Sequence, residues 1–318
     1  MTLIVLAPME GVIDYPMRRL LTDIGGYDRC VTEFVRVTDV LLPERVFHRL
    51  CPELNEGGVT ASGTPVRVQL LGSHLQALAL NAARAVELGA PGVDINFGCP
   101  AKTVNRSDGG SVLLQEPARV GAIVDAVRQA VPGHIPVSAK IRLGFESPDA
   151  VDEIIGFIIE AGASEICVHA RTKADGYKPP AYWHRVKNAQ HTSPIPILIN
   201  GEIWSVPEAY RAMEESGCQH IMLGRGALSC PDLALQVRHA LNGNSDAYTP
   251  MAWSRVAKEV QAQFDRSDKT IERHVGNRTK QWLAYLRREY QGAEQLFGEI
   301  KRLHAQSDIE SCIAAHVS

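Results

Sequence analysis

The chain has no two cysteines spaced as Cys-x-x-Cys and no histidine cluster near its thiols, although it carries seven cysteines, at 30, 51, 99, 167, 218, 230 and 312. That pattern argues against zinc and iron–sulfur frameworks, so no metal is expected. An odd, dispersed set of thiols fits reduced cysteines in the cytoplasm. No apolar run approaches about 18 residues, and no membrane span is expected. A Gly-x-Gly-x-x-Gly dinucleotide fingerprint is absent, as are low-complexity segments and repeats of fixed period. The N terminus is apolar from Met1 to Ala7 but lacks a basic leader and runs into Pro8-Met9-Glu10. It reads as a first strand and not as a signal peptide.

What is present is an ordinary globular composition: 318 residues, 45% hydrophobic and 22% charged. That length fits a large barrel or two domains. The formal charge is only −3, yet it is unevenly spread. Residues 1–250 hold 22 basic and 27 acidic side chains, whereas 251–318 hold 11 basic and 9 acidic, with seven basic against three acidic between positions 273 and 302. A basic segment attached to an acidic protein points to a polyanionic partner.

β-rich runs recur at 3–7, 29–33, 65–70, 92–96, 137–141, 165–169, 195–200 and 218–223. Between several of them lie segments with apolar residues at three-to-four spacing, at 75–88, 117–130, 150–161 and 206–216. Gly89, Gly162 and Gly217 follow three of these as helix stops. Eight strands alternating with helices predict a (β/α)₈ TIM barrel in the α/β class, a doubly wound open sheet being the alternative. The polar, turn-rich stretch 241–250 marks a boundary between domains at 1–243 and 250–318. Helical periodicity at 252–264, 278–290, 293–305 and 309–315 predicts a small helical bundle, with Trp282 in its core.

In such a barrel the site forms where the strands end. The residues there are Pro8-Met9-Glu10, Glu33, Gln69, Asn96 with Cys99, Lys140 with Arg142, His169 with Arg171, Asn200-Gly201-Glu202 and Gly224-Arg225-Gly226. Gly98 and Pro100 predict a tight turn that holds the Cys99 thiol on the rim, although most free cysteines are small buried hydrophobes. The other six cysteines read as packing. Glycine-rich turns after the last two strands suit a phosphate bound by backbone N–H groups. Lys140 would point into the mouth, where a cation can stabilise an anionic ring, with Gln69 at the same ring edge. By themselves these residues specify only an anionic, phosphate-bearing cofactor.

Ala7-Pro8-Met9-Glu10-Gly11, Thr32-Glu33-Phe34, Asn96-Phe97-Gly98-Cys99-Pro100, Lys140-Ile141-Arg142, His169-Ala170-Arg171-Thr172, Asn200-Gly201-Glu202-Ile203 and Gly224-Arg225-Gly226-Ala227 together resemble the tRNA-dihydrouridine synthases. In the tail, Asn277-Arg278-Thr279-Lys280-Gln281-Trp282-Leu283, with the early Val35-Arg36-Val37, resembles the bacterial C-type subfamily, which reduces uridine 16 of the tRNA D loop. The resemblance implies bound FMN reduced by NADPH, hydride transfer to C6 of uracil, and a proton from Cys99 to C5. A thiol with an ordinary pKa near ~8.5 is protonated at neutral pH yet deprotonates readily.

The flavin contacts carried over are Pro8, Met9, Glu10, Gln69, Lys140, Asn200, Gly201, Glu202, Gly224 and Arg225, and His169 lies near the ring in the family. Asn96 would bond the substrate base. Arg36, Arg142 and Tyr177 on the rim, and Arg278, Lys280, Tyr285 and Lys301 in the tail, match tRNA-contacting positions. Phe97 departs from the subfamily, which often has a second cysteine there. With no dinucleotide fingerprint, NADPH is expected to visit the flavin transiently. The expected protein is a cytoplasmic monomer acting on tRNA. Alternatives are position 20 as the target, a tRNA-binding protein without catalysis, and a flavin barrel acting on a free pyrimidine, against which the basic tail counts.

Overall fold

The computed structural model describes residues 1–266 and 274–317. Arg273, which opens the basic stretch, lies outside the described residues. Among the described residues, nine parallel strands form the sheet: β1 (Ile4–Leu6), β2 (Arg29–Val31), β3 (Val35–Arg36), β4 (Val66–Leu71), β5 (Val93–Asn96), β6 (Val137–Arg142), β7 (Glu165–His169), β8 (Ile197–Asn200) and β9 (His220–Leu223). Each of β4 to β9 pairs with the next, β9 pairs with β1, β1 with β2, and β2 with β4, which closes a ring. The eight expected strands are all present, most of them shorter than expected.

The ninth, β3, was not expected. It continues the line of β2 along the same edge of β4, with Cys30 opposite Val66 and Val35 opposite Leu70. The break between β2 and β3 has a local cause. Thr32 Oγ1, not a backbone carbonyl, takes the Gln69 N–H at 3.0 Å, so the chain leaves the ladder for a few residues before rejoining it.

The barrel interior is divided in two. Val5, Ala7, Val31, Cys167, Leu198 and Met222 form a small apolar cluster inside it, separate from the large core between strands and helices. On β4, β5 and β6 the corresponding inward positions are polar: Gln69, Asp94 and Ser138, all buried. Alternation along each strand puts neighbours such as Val68, Val93, Ile95 and Val137 on the outward face under the helices.

Helices Leu75–Glu87, Pro117–Ala130, Val151–Glu160 and Val206–Ser216 fill the expected segments. The last starts where Ser205 accepts the Glu208 N–H and has a proline in its first turn; it stops at left-handed Gly217.

After the barrel, buried Asp232 accepts the Tyr248 hydroxyl at 2.9 Å and the Met251 N–H at 2.8 Å, which pins the connecting segment. Helices Trp253–Arg266, Asn277–Leu286, Gln291–Ile300 and Gln306–Val317 follow. The second and third end short of the expected 290 and 305, because the chain turns at 287–290 and again at 301–303. Trp282 is buried, as expected, and its Nε1 donates to the Leu228 carbonyl at 3.0 Å, fastening the tail to the barrel.

Candidate active site

A cavity of about 690 Å³ opens at the C-terminal ends of the strands. It gathers Pro8, Met9, Glu10, Gln69, Asn96, Cys99, Lys140, Arg142, His169 and Tyr177 with Asn200, Gly201, Glu202, Gly224, Arg225 and Tyr285. Ala7, Phe34, Ile203, Trp204 and Met222 also line it. Trp204 was missed by sequence reasoning, although it directly follows the Asn200–Ile203 motif. Arg36, Arg278, Lys280 and Lys301 are not part of this wall. Arg36 lies in a second, adjoining cavity that shares Glu10, Glu33 and Phe34 with the first.

The Cys99 turn is built differently from the expectation. Gly98 has no positive φ, and a Cβ there would meet nothing closer than 3.6 Å, so glycine's freedom does not make the turn. Asn96 makes it: its Oδ1 accepts the N–H groups of Gly98 at 2.9 Å and Cys99 at 3.0 Å. The Cys99 carbonyl takes three donors, Ser111 N at 3.0 Å, Ser111 Oγ at 2.9 Å and Asn105 Nδ2 at 3.0 Å. Glycine is required at 110, where φ is +68° and a Cβ would sit 2.8 Å from that carbonyl.

Burial pushes the half-buried Cys99 thiol above its ordinary range, against the Ala101 N–H; Glu10 adds to the rise while Arg142 and Arg36 oppose it. The thiol therefore stays protonated at neutral pH.

Arg142 is buried and committed: Nε donates to Gly98 O at 2.7 Å, and Nη1 to Thr172 O at 2.9 Å and Gly176 O at 2.8 Å. The structure thus places it beneath the rim as a strut between two loops. Asn96 likewise has most of its amide engaged, its Nδ2 donating to Gln69 Oε1 at 2.8 Å, which leaves one N–H hydrogen for a base. Gln69 in turn donates to Asp94 at 2.7 Å. Lys140 Nζ faces Asn200 Oδ1 at 3.3 Å, and burial lowers its pKa.

On the opposite side, the backbone N–H groups of Gly201, Glu202 and Gly224 donate to no protein acceptor among the described residues. Gly201 has φ +110°, and a Cβ there would lie 2.7 Å from His169 Cδ2, so only glycine lets the backbone close on the imidazole. Burial, reinforced by Arg142, Lys140, Arg171 and Arg225, lowers the His169 pKa well below its usual range. The ring is neutral, and Arg171 Nη1 at 3.3 Å makes Nε2 the acceptor, which leaves the proton on Nδ1.

Glu202 holds ion pairs with Arg171 and, at 3.4 Å, with Arg225, and accepts Trp204 Nε1 at 3.0 Å. Guanidinium and aromatic groups alternate along this rim. Arg288 lies 4.0 Å over Trp204, Arg225 5.0 Å over Trp204 and 5.4 Å over Tyr177, and Arg142 5.1 Å over Tyr177. Glu10 is exposed at the mouth, a different setting from the buried Gln69.

The tail cations divide by partner. Arg278 bonds Asp14 and the Gly11 carbonyl, and Lys280 Nζ bonds the Leu303 carbonyl at 2.5 Å. Both are more internally engaged than a solvated basic face implies. Lys301 is exposed with no partner among the described residues, and Arg36 is exposed while touching Thr103 and Ser107.

The family model for dihydrouridine synthase matches residues 5–316. The chain belongs to the dihydrouridine synthase family. A protein of Pseudomonas putida named tRNA-dihydrouridine(16) synthase is 51% identical, over 94% of this chain and 92% of its own length. One of the same name in Escherichia coli K12 is 47% identical over 98% of each. Among solved structures, the DHODH–ferulenol complex from Eimeria tenella aligns at TM-score 0.56 and 11% identity, covering 77% of this chain and 84% of that one. At that identity the likeness speaks for the barrel fold. The family match spans barrel and tail together.

Proposed function

We propose that this chain reduces uridine to 5,6-dihydrouridine in the tRNA D loop, at position 16, using bound FMN and NADPH. The observation that carries this reading is a thiol, Cys99, fixed by Asn96 at the edge of a cavity large enough for a cofactor.

FMN fits the residues present. Three free backbone N–H groups at Gly201, Glu202 and Gly224, with Arg225 beside them, suit its phosphate. Met9, Ala7 and Met222 offer an apolar surface for a ring, and Gln69 and Lys140 offer polar partners for its edge. When bound, FMN supplies the hydride that reaches C6 of the uracil.

Lys140 sits in a partly desolvated position, where burial lowers its pKa and where its ammonium form stabilises negative charge on a neighbouring ring. Cys99 gives its proton to C5, and the raised thiol pKa keeps that proton in place until the base is seated. Asn96 fixes the Cys99 backbone and keeps one N–H for the base. Neutral His169 with its Nδ1–H is a donor beside the same cavity.

The target base must leave its stack to enter, and contacts to the RNA backbone repay that unstacking. Arg36, Tyr177 and Lys301 are the exposed contacts in this reading, with Tyr285 closing the cavity from the tail. Arg278 and Lys280 meet the RNA as groups already anchored to the protein, and Arg142 acts from beneath. Residues 1–243 form the catalytic unit and 250–318 the tRNA-binding unit, in a cytoplasmic monomer. Dihydrouridine mapped in tRNA from a strain lacking the gene is expected to vanish at position 16. Loss at position 20 instead overturns the position, and a colourless protein that cannot be reconstituted with flavin overturns the chemistry.

A further inference from the structure

The buried polar residues of β4, β5 and β6 form one directed chain beneath the Cys99 turn. Ser138 Oγ donates to Asp94 Oδ1 at 2.6 Å, and Gln69 Nε2 donates to Asp94 Oδ2 at 2.7 Å. Asn96 Nδ2 donates to Gln69 Oε1 at 2.8 Å, and Asn96 Oδ1 accepts the N–H groups of Gly98 and Cys99. Asp94 and Ser138 face each other in register, as do Gln69 and Asp94, one interior layer below Asn96 and Lys140. All four side chains are buried, with exposures of 8% or less.

The order of donors and acceptors along this chain is fixed at both ends, because the Gly98 and Cys99 N–H groups can only donate and the Asp94 carboxylate can only accept. An ionised carboxylate only accepts, so the Gln69 amide must turn its Nε2 toward Asp94 and its oxygen toward Asn96. Asn96 must then donate to Gln69, which turns its own oxygen to the two N–H groups of the turn. Amide side chains have no such preference of their own, since either end fits the same space.

We infer that Asp94 is a positioning residue whose carboxylate holds the Gln69 amide in the one orientation that supports Asn96 and thereby keeps the Cys99 turn closed. Asp94 touches neither substrate nor thiol. Burial raises its pKa, while the bonds from Ser138 and Gln69 oppose that rise and favour the ionised form. The consequence for catalysis rests on the reading of Cys99 as proton donor; the closure of the turn does not, and the thiol can be observed directly.

The test is the alkylation rate of Cys99 by iodoacetamide in the purified, flavin-loaded protein, followed by peptide mass spectrometry. Cys312, the other partly exposed thiol, is the internal control. In Asp94→Asn the new amide can offer Gln69 either a donor or an acceptor, so Gln69 is no longer held in one orientation and its support of Asn96 at the turn is lost for part of the time. Cys99 alkylation should rise at least threefold, with Cys312 unchanged.

The double variant Asp94→Asn/Gln69→Glu moves the carboxylate one step along. Glu at 69 accepts from both neighbours and restores the Asn96 orientation, so alkylation should return to within twofold of the parent. Ser138→Ala keeps the carboxylate and should leave the rate within twofold. Unchanged Cys99 reactivity in folded Asp94→Asn, or a double variant as reactive as the single, overturns the inference. If Asp94→Asn does not fold, recovery of folding and parental reactivity in the double variant supports it, and failure of both variants overturns it.

Discussion

The two sides of the cavity use polar groups in opposite ways. On the Cys99 side nearly every donor and acceptor is spent inside the protein: the Cys99 carbonyl takes three bonds and Arg142 binds three carbonyls. On the side formed after β8 and β9, three backbone N–H groups of the described residues have no protein partner. Donors left without a protein partner in the wall of a cavity are available to a ligand. The first side is a mount for one reactive atom; the second is a receptacle.

Mutation can break this contrast, and the largest effect belongs to the thiol. Cys99→Ala should lower single-turnover uridine reduction by roughly 10²–10⁴-fold, the usual worth of a positioned proton donor, with flavin absorbance and tRNA affinity unchanged. Turnover in the parent should hold through the ordinary thiol range and fall only above it. Burial raises the Cys99 pKa, and the protonated form is the active one. A loss setting in below neutral pH would assign the proton to another group.

The receptacle responds to a single methyl group. Gly201→Ala places a Cβ against the His169 ring at a positive φ. Flavin affinity, read by equilibrium dialysis, should fall by at least about tenfold, a loss of ~1.4 kcal/mol, while Cys99 alkylation stays at the parental rate. Loss of both together would mean that the two sides are not independent.

Arg142→Ala leaves buried carbonyls unpaired and should destabilise the fold by about 1–3 kcal/mol in urea unfolding. It should also speed Cys99 alkylation without weakening flavin binding. The smallest effects separate the tail cations. Lys301→Ala should reduce the salt slope of tRNA binding by about one ion. Arg278→Ala should reduce it by less, because Asp14 already balances that guanidinium. Equal slopes would show that RNA displaces the Asp14 contact.

Much of this was legible in the sequence because it depends on local order. The eight principal strands, the helices at 117–130 and 206–216, and the strand-end residues of the site all follow from periodicity and motif. Strand β3 was not legible as a separate strand, because the break before it depends on Thr32 standing in for a backbone acceptor. The Gly98 turn was assigned to the wrong residue for a related reason: Asn96 makes it through side-chain bonds that residue type alone does not reveal. Trp204 carried no signal beyond its place after a recognised motif.

By itself the sequence determined which residues lie at or near the strand ends, since alternation along a β-strand fixes which side chains enter the barrel mouth. It also determined the family, through seven motifs in order and the tail that follows them. Tertiary structure alone decided which of those polar groups are free. A guanidinium or amide has the same donors wherever it occurs, and only its neighbours in space settle whether they are spent on the protein, as at Arg142 and Arg278, or left for a ligand.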